Sequence, residues 1–282
     1  MNVLSTEKRI QVIAALVEGA SIRSIVRMTG VAKNTISKLL LEIGVASGLY
    51  QDRVMRNLSC KRIEADEIWS FVGCKQKTKR MGGEGEGDVW TWVALDTDSK
   101  LVPCWLVGGR DAGYAHAFMQ DLASRLSHRV QLTTDGHAAY LDAVDSAFGT
   151  DIDYAQLVKH YGKADNIEAS QHRYSPAHCT GSTPKPFIGD PKPYFVSTSY
   201  IERQNLTMRM HMRRFTRLTN AFSKKLENHA AAIALHFLAY NFCRKHKAHG
   251  MTPAQKAGLA DRVWTIADIV ALLDAPMAKA AN

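Results

Sequence analysis

Cysteine is scarce in this chain. There are five among 282 residues, Cys60, Cys74, Cys104, Cys179 and Cys243. They are scattered, none forms a Cys-x-x-Cys pair and their number is odd, which excludes a disulfide framework and a zinc ribbon and points to a reducing compartment. Long apolar runs are missing as well. The longest nearly apolar stretch, "AAAIALHFLAYNF", contains His236 and is too short to span a bilayer. The opening "MNVLSTEKRIQ" lacks the apolar segment of a secretory signal. No internal repeat is visible. Acidic charge is in deficit, with 27 Asp+Glu against 36 Lys+Arg and a formal net charge of +9. These absences predict a cytoplasmic protein with a polyanionic partner, nucleic acid before membrane.

What is present reads as an ordinary soluble globular chain, 46% hydrophobic and 22% charged, long enough for two domains. Residues 5 to 43 carry helical patterning throughout. Ser5 or Thr6 can cap a helix bearing Ile10, Val12, Ile13, Leu16 and Val17 that ends at Gly19. Ser21 can cap a short second helix, Gly30 breaks the chain, and "KNTISKLLLEI" forms a third helix expected to stop at Gly44. A short helix, a glycine turn and a second helix make the helix–turn–helix layout, whose second helix can enter the major groove. Lys33, Asn34, Thr35, Ser37 and Lys38 stay polar near the start of that helix, where base-reading residues lie. A plain helical hairpin with a solvated face has the same pattern. The expected division is a DNA-binding domain over 1–46, a linker over 47–60, a second and larger domain over 61–250 and a helical tail over 251–282.

Beyond the linker the period changes to that of strands. "CKRIEADEIWSFVG", "VWTWVALDTDS" and "KLVPCWLVGG" read as three strands, the last two joined by the turn "DTDSK". A helix follows from about Ala112 to Ser127, then a strand "RVQLTTD", a helix "HAAYLDAVDSAF" and a strand "IDYAQLVKHY". Residues 162 to 199, rich in Gly, Pro, Ser and His, are expected to be irregular. Helices are expected from Thr198 to about Arg217 and from Asn220 to Arg244. This is an α/β layout with a mixed sheet flanked by helices. The element order also resembles the ribonuclease-H-like fold, although periodicity alone leaves several α/β folds open. Trp69, Trp90, Trp92 and Trp105 lie in the strands and read as core.

The first strand is interrupted by Glu64, Asp66 and Glu67, and acidic residues are depleted in strands and costly to bury. Asp66 sits within it. Asp135 ends the fourth strand, immediately before Gly136. Glu202 sits near the start of a helix. Strand ends and helix starts are where open α/β sheets place their sites. Three carboxylates brought together by folding repel one another unless a cation lies between them, and hard oxygen ligands suit Mg2+ or Mn2+. Each acid also has an ordinary reading. Asp66 can be an edge charge, Asp135 a turn residue and Glu202 a first-turn glutamate favoured by the helix dipole. Glu67 reads as a surface or supporting carboxylate.

Three blocks, "ADEIWSFVG", "TTDGHAAY" and "YIERQNLTMRMHMRRFTRLTNAFSK", resemble in order the signature blocks of DDE transposases of the insertion sequence one family. The later "LAYNFCRKHKAHGMTPAQKAGL" resembles that family's closing segment, so the likeness covers roughly residues 60 to 260. The resemblance implies metal-dependent DNA strand cleavage and joining, with Asp66, Asp135 and Glu202 as catalytic metal ligands for two Mg2+ or Mn2+ ions. It also implies an auxiliary Asn205, and Arg209 about two helical turns after Glu202 as a phosphate grip. Arg213, Arg214 and Arg217 extend that basic face toward DNA phosphates. The partners implied are double-stranded DNA, as transposon ends and as target, and a homodimer or higher oligomer on DNA in the nucleoid of a prokaryotic cytoplasm. Some members carry a cysteine-bearing zinc element before the helix–turn–helix. This chain has none, so no structural zinc is expected. His172, His178 and Cys179 lack a fourth ligand at sensible spacing. The competing readings are a non-catalytic DNA-binding regulator, a nuclease of the same fold, and a recombinase using a hydroxyl, for which Tyr200 is the candidate.

Overall fold

The computed structural model describes residues 4–79, 85–162, 179–216 and 219–274. The first helix, α1 (Thr6–Val17), starts where the Ser5 side chain accepts a hydrogen bond from Lys8 N at 3.3 Å. Helix α2 (Ile22–Thr29) starts in the same way at Ser21, which accepts from Ser24 N at 3.1 Å, and ends at Gly30 with φ +71°. That left-handed conformation is the one glycine adopts without a Cβ penalty. Helix α3 then runs from Lys33 to Val54. It does not stop at Gly44, so the segment expected as a linker begins as helix. Gly44 lies against the helix α7 (Leu226–Phe242), where a Cβ would meet Ala231 Cβ at 2.4 Å. The glycine marks a close crossing of two helices.

Six strands form one mixed sheet in the order β3-β2-β1-β4-β5-β6. They are β1 (Arg62–Val72), β2 (Gly87–Asp96), β3 (Trp105–Gly108), β4 (Gln131–Asp135), β5 (Asp153–Tyr161) and β6 (Cys179–Ile188). β1, β4 and β5 run parallel, while β2, β3 and β6 are antiparallel to their neighbours. This six-stranded sheet flanked by helices is consistent with a ribonuclease-H-like fold. The segment expected to be irregular therefore contributes an edge strand, β6, which carries Pro184 and Pro186. Prolines two residues apart share one edge of a strand, so their missing N–H groups can both fall on the side with no partner.

Helices α4 (Ala112–Arg125) and α5 (Ala139–Phe148) cover one face, packing Phe118 and Tyr140 against the fully buried Trp92. Trp69, Trp90 and Trp105 are only half-buried. Helix α6 (Ser199–His211) and α7 cover the other face, with Ile201, Met208, Ile233 and Phe237 against Ile68 and Val93. Helix α6 is shorter than expected, and a tight turn at Arg213–Phe215 follows it. α7 is apolar on every side because α3 covers its outer surface, and a helix apolar all round is a buried one. Gln51 of α3 donates to Ala234 O at 3.1 Å, and Arg244 reaches back to Val17 O at 3.1 Å. The buried residues of α1–α3 join those beneath α4 and α5 in one continuous core. Short helices α8 (Pro253–Lys256) and α9 (Ile266–Ala271) close the described chain. Among the described residues no helix is long and apolar enough to cross a membrane.

Candidate functional site

The parallel ladder between β1 and β4 pairs Ala65 with Thr134, which brings Asp66 beside Asp135 where β4 ends. Paired residues of parallel strands point to the same face, here the one covered by α6. Glu67 follows Asp66 and alternates to the other face, but with β4 ended no neighbouring strand separates it from the pair. Ligand oxygens of Asp66, Glu67 and Asp135 all lie within 4.8 Å of one another. Backbone amides hold the two aspartates: Glu67 N donates to Asp66 Oδ1 at 2.8 Å and His137 N to Asp135 Oδ1 at 3.0 Å.

Glu67 is the carboxylate that sequence reasoning undervalued. Its side chain is 1% exposed, and Arg110 Nη2 lies 3.4 Å from Oε2 and 4.0 Å from Asp135 Oδ2. Its other oxygen, Oε1, is buried and makes no hydrogen bond. The Tyr140 hydroxyl lies near the carboxyl without the geometry of a bond. A buried, unpartnered carboxylate oxygen is costly and rare, and it marks a position where a further positive group fits. Burial, then Asp135 and Asp66, pushes the Glu67 carboxyl up to about 7. Burial, then Asp135, does the same to Asp66, also to about 7. Three carboxylate donors at one point, two of which, Asp66 and Glu67, resist ionising and one of which has an orphaned oxygen, fit a hard divalent cation.

Glu202 stands outside this group. It lies on α6, and its Oε1 accepts from the Thr198 hydroxyl at 2.5 Å and from the Lys159 ammonium. It is near enough to raise Asp66 further. Asn205, one turn on, donates from Nδ2 to Asp66 Oδ2 at 2.9 Å and is 4% exposed. The helix carrying both is fixed by a residue with no assigned role in the sequence reading. Glu64 Oε2 accepts from Tyr200 N at 2.8 Å and Ile201 N at 2.9 Å. Thr198 offers no side-chain cap, so Glu64 caps α6 from the neighbouring strand. Of the three acids that interrupt β1, one holds the helix and two face Asp135.

Lys159 was missed because nothing local distinguishes a lysine near the end of an apolar strand. Only the pairing of Leu157 with Asp135 shows that Lys159, two residues on, returns to the face of the acids. Arg110 was missed because it sits in a loop whose position depends on the whole sheet.

The basic residues expected to meet DNA divide. Lys33, Asn34, Thr35 and Lys38 are exposed at the start of α3 and Ser37 is half-buried, with Lys38 3.6 Å from Glu42. Arg213 is exposed and Arg209 half-buried. Arg214 is not part of an outward basic face. It donates to Ser223 Oγ at 2.6 Å and Asn228 O at 3.3 Å, bracing the segment before α7. Arg217, His172 and His178 lie outside the described residues.

No protein-family model and no curated protein matches the chain in sequence. Solved structures do match in shape. The synaptic complex of piggyBac transposase with hairpin DNA is similar over 96% of this chain and 72% of that one, at 10% identity and TM-score 0.46. The Mos1 strand transfer complex is similar over 85% and 79%, at 12% identity and TM-score 0.25. The Mos1 paired-end complex with the left transposon end is similar over 55% and 60%, at 12% identity and TM-score 0.24.

Proposed function

We propose that this chain is a DNA transposase of the DDE type, acting on double-stranded DNA. The observation that carries the proposal is the acid site itself. Residues distant in sequence, Asp66 and Asp135, meet at adjacent strand positions with the orphaned Glu67 oxygen beside them, and α6 holds Glu202 and Asn205 against that point. The resemblance of the three sequence blocks to insertion sequence one family transposases supports the same reading.

In this reading Asp66, Asp135 and Glu202 are the catalytic acids, joined by Glu67, and would hold Mg2+ or Mn2+. A divalent ion there supplies Lewis acidity and activates water for in-line phosphodiester displacement. Asn205 keeps the Asp66 carboxylate oriented, and Glu64 keeps α6 in register with β1. Arg110 offsets charge on Glu67 and Asp135. Water is the first nucleophile, and the freed 3′ hydroxyl then attacks target DNA at the same site without a covalent protein intermediate. Helix α2, Gly30 and the start of α3 would serve as a helix–turn–helix for the transposon ends, with Lys33, Asn34, Thr35, Ser37 and Lys38 toward the groove. Arg209, Arg213 and Arg217 would meet phosphates. Two ends require at least two copies of the chain.

The test is strand transfer by the full chain, using duplexes copied from the DNA flanking its gene and a supercoiled target with Mn2+. Joined products support the transposase reading. Nicks without joining indicate a nuclease, and binding with neither indicates a DNA-binding regulator.

A further inference from the structure

The two sides of the acid site differ in how their charge is met. On the β4 side, Arg110 lies 3.4 Å from Glu67 and 4.0 Å from Asp135, a single positive charge against the three carboxylates of Asp66, Glu67 and Asp135, and Glu67 Oε1 has no partner. On the α6 side a cation is already resident. The Lys159 ammonium is bonded to Glu202 Oε1, the oxygen that Thr198 also fills, and its charge acts on Asp66 as well. Strand β5 carries Lys159 past the end of β4 on the face of Asp66 and Asp135, so the lysine stands over the site on rigid structure. Its side chain is 26% exposed.

We infer that the site takes one divalent cation, on Asp66, Glu67 and Asp135, and that Lys159 supplies the second positive charge at Glu202. The inference rests on the proposed phosphodiester chemistry, departs from the two ions that the family resemblance implies, and takes Glu202 out of the set of residues that would hold the ion. A divalent ion placed between Glu202 and Asp66 would have to displace the ammonium and then lie beside it, at full charge repulsion. An ammonium is a compact point charge with three donors, suited to a phosphoryl oxygen once Glu202 holds it there. Lys159 is thus a positioning residue for Glu202 in the free protein and a charge partner for bound phosphate.

The experiment is Mn2+ titration by calorimetry of the full chain and of Lys159→Met, Lys159→Gln and the double variant Lys159→Met/Glu202→Gln, each checked for native circular dichroism. One ion per chain is expected in the wild type, two when Lys159 is neutral, and one again in the double variant. Manganese resonance spectra add a signature, since ions roughly 3.5–4 Å apart are exchange-coupled; coupling is expected in Lys159→Met alone. Two ions in the wild type, or an unchanged count in both lysine variants, overturns the inference and leaves the acid cluster as a metal site. No ion in any of the proteins overturns the cluster reading, and the inference falls with it. Should neither lysine variant fold, the wild-type count decides.

Discussion

At the residue scale, one strand gives three carboxylates three surroundings. The unusual acidity of "IEADEIW" is legible in the sequence because strands avoid such residues. The separate tasks are not, because each depends on a partner far away in the chain: α6 for Glu64, Asn205 for Asp66, Arg110 for Glu67. Burial raises the Glu64, Asp66 and Glu67 carboxyls to about 7. Unfolded carboxyls ionise near 4, so between about pH 4 and pH 7 the unfolded chain sheds protons that the folded chain retains. The stability these groups contribute is complete below pH 4 and is lost as pH rises to 7, at no more than about 1.4 kcal/mol per pH unit for each. A divalent ion held by the acid cluster would relieve the share of that loss that belongs to Asp66 and Glu67. Thermal melts should therefore show a larger rise in Tm with Mn2+ at pH 8 than at pH 5.5, and an equal rise at both would contradict the cluster. The same accounting separates two changes at Glu64. Glu64→Ala strands two helix amides and should cost about 1–2 kcal/mol. Glu64→Gln keeps an acceptor and never ionises, so in denaturant titrations it should be nearly neutral at pH 4 and gain steadily on the wild type as pH rises to 7.

At the element scale, local signals decided what sequence alone revealed. Ser5, Ser21 and Gly30 place the ends of α1 and α2 where capping chemistry puts them. Two elements escaped for the same reason, that tertiary packing overrode local preference. Gly44 reads as a helix stop, yet α3 passes through it because a glycine lets α3 approach Ala231 of α7. Strand β6 is dense in Gly, Pro, Ser and Thr and reads as loop, yet it needs only β5 as partner and tolerates proline on its outer edge. The crossing can be tested. Gly44→Ala gains about 1 kcal/mol of helix propensity, but its Cβ would fall 2.5 Å from Ala231 Cα, inside backbone rather than a movable side chain. A net loss of about 1–3 kcal/mol is expected in the denaturant midpoint. A stabilised Gly44→Ala protein would show that the helices do not meet there.

At the scale of the whole molecule, the positive net charge fits the nucleic-acid partner proposed above. The excess of +9 was legible from composition, but the strand order that sets Asp66 beside Asp135 comes only from the folded sheet. The charge partners of the acids, Lys159 and Arg110, were not legible either, because they belong to the closed sheet and not to any motif. The N-terminal helices share a core with the sheet and α7, and α7 in turn packs against α6. If the start of α3 contacts DNA, Lys33→Ala/Lys38→Ala should weaken binding and lower the slope of log affinity against log salt by about 1–2. An unchanged slope would remove that helix from the interface. The central claim is that Asp66 and Asp135 form one metal-dependent site for cutting DNA. Its most direct test is nicking of supercoiled plasmid by the full chain with Mn2+, beside Asp66→Asn and Asp135→Asn. The account predicts that the wild type nicks only with the ion and that each variant, folded as judged by circular dichroism, loses at least 100-fold in rate (on the order of 3 kcal/mol). Full nicking by either variant, or nicking by the wild type in chelator, would contradict it.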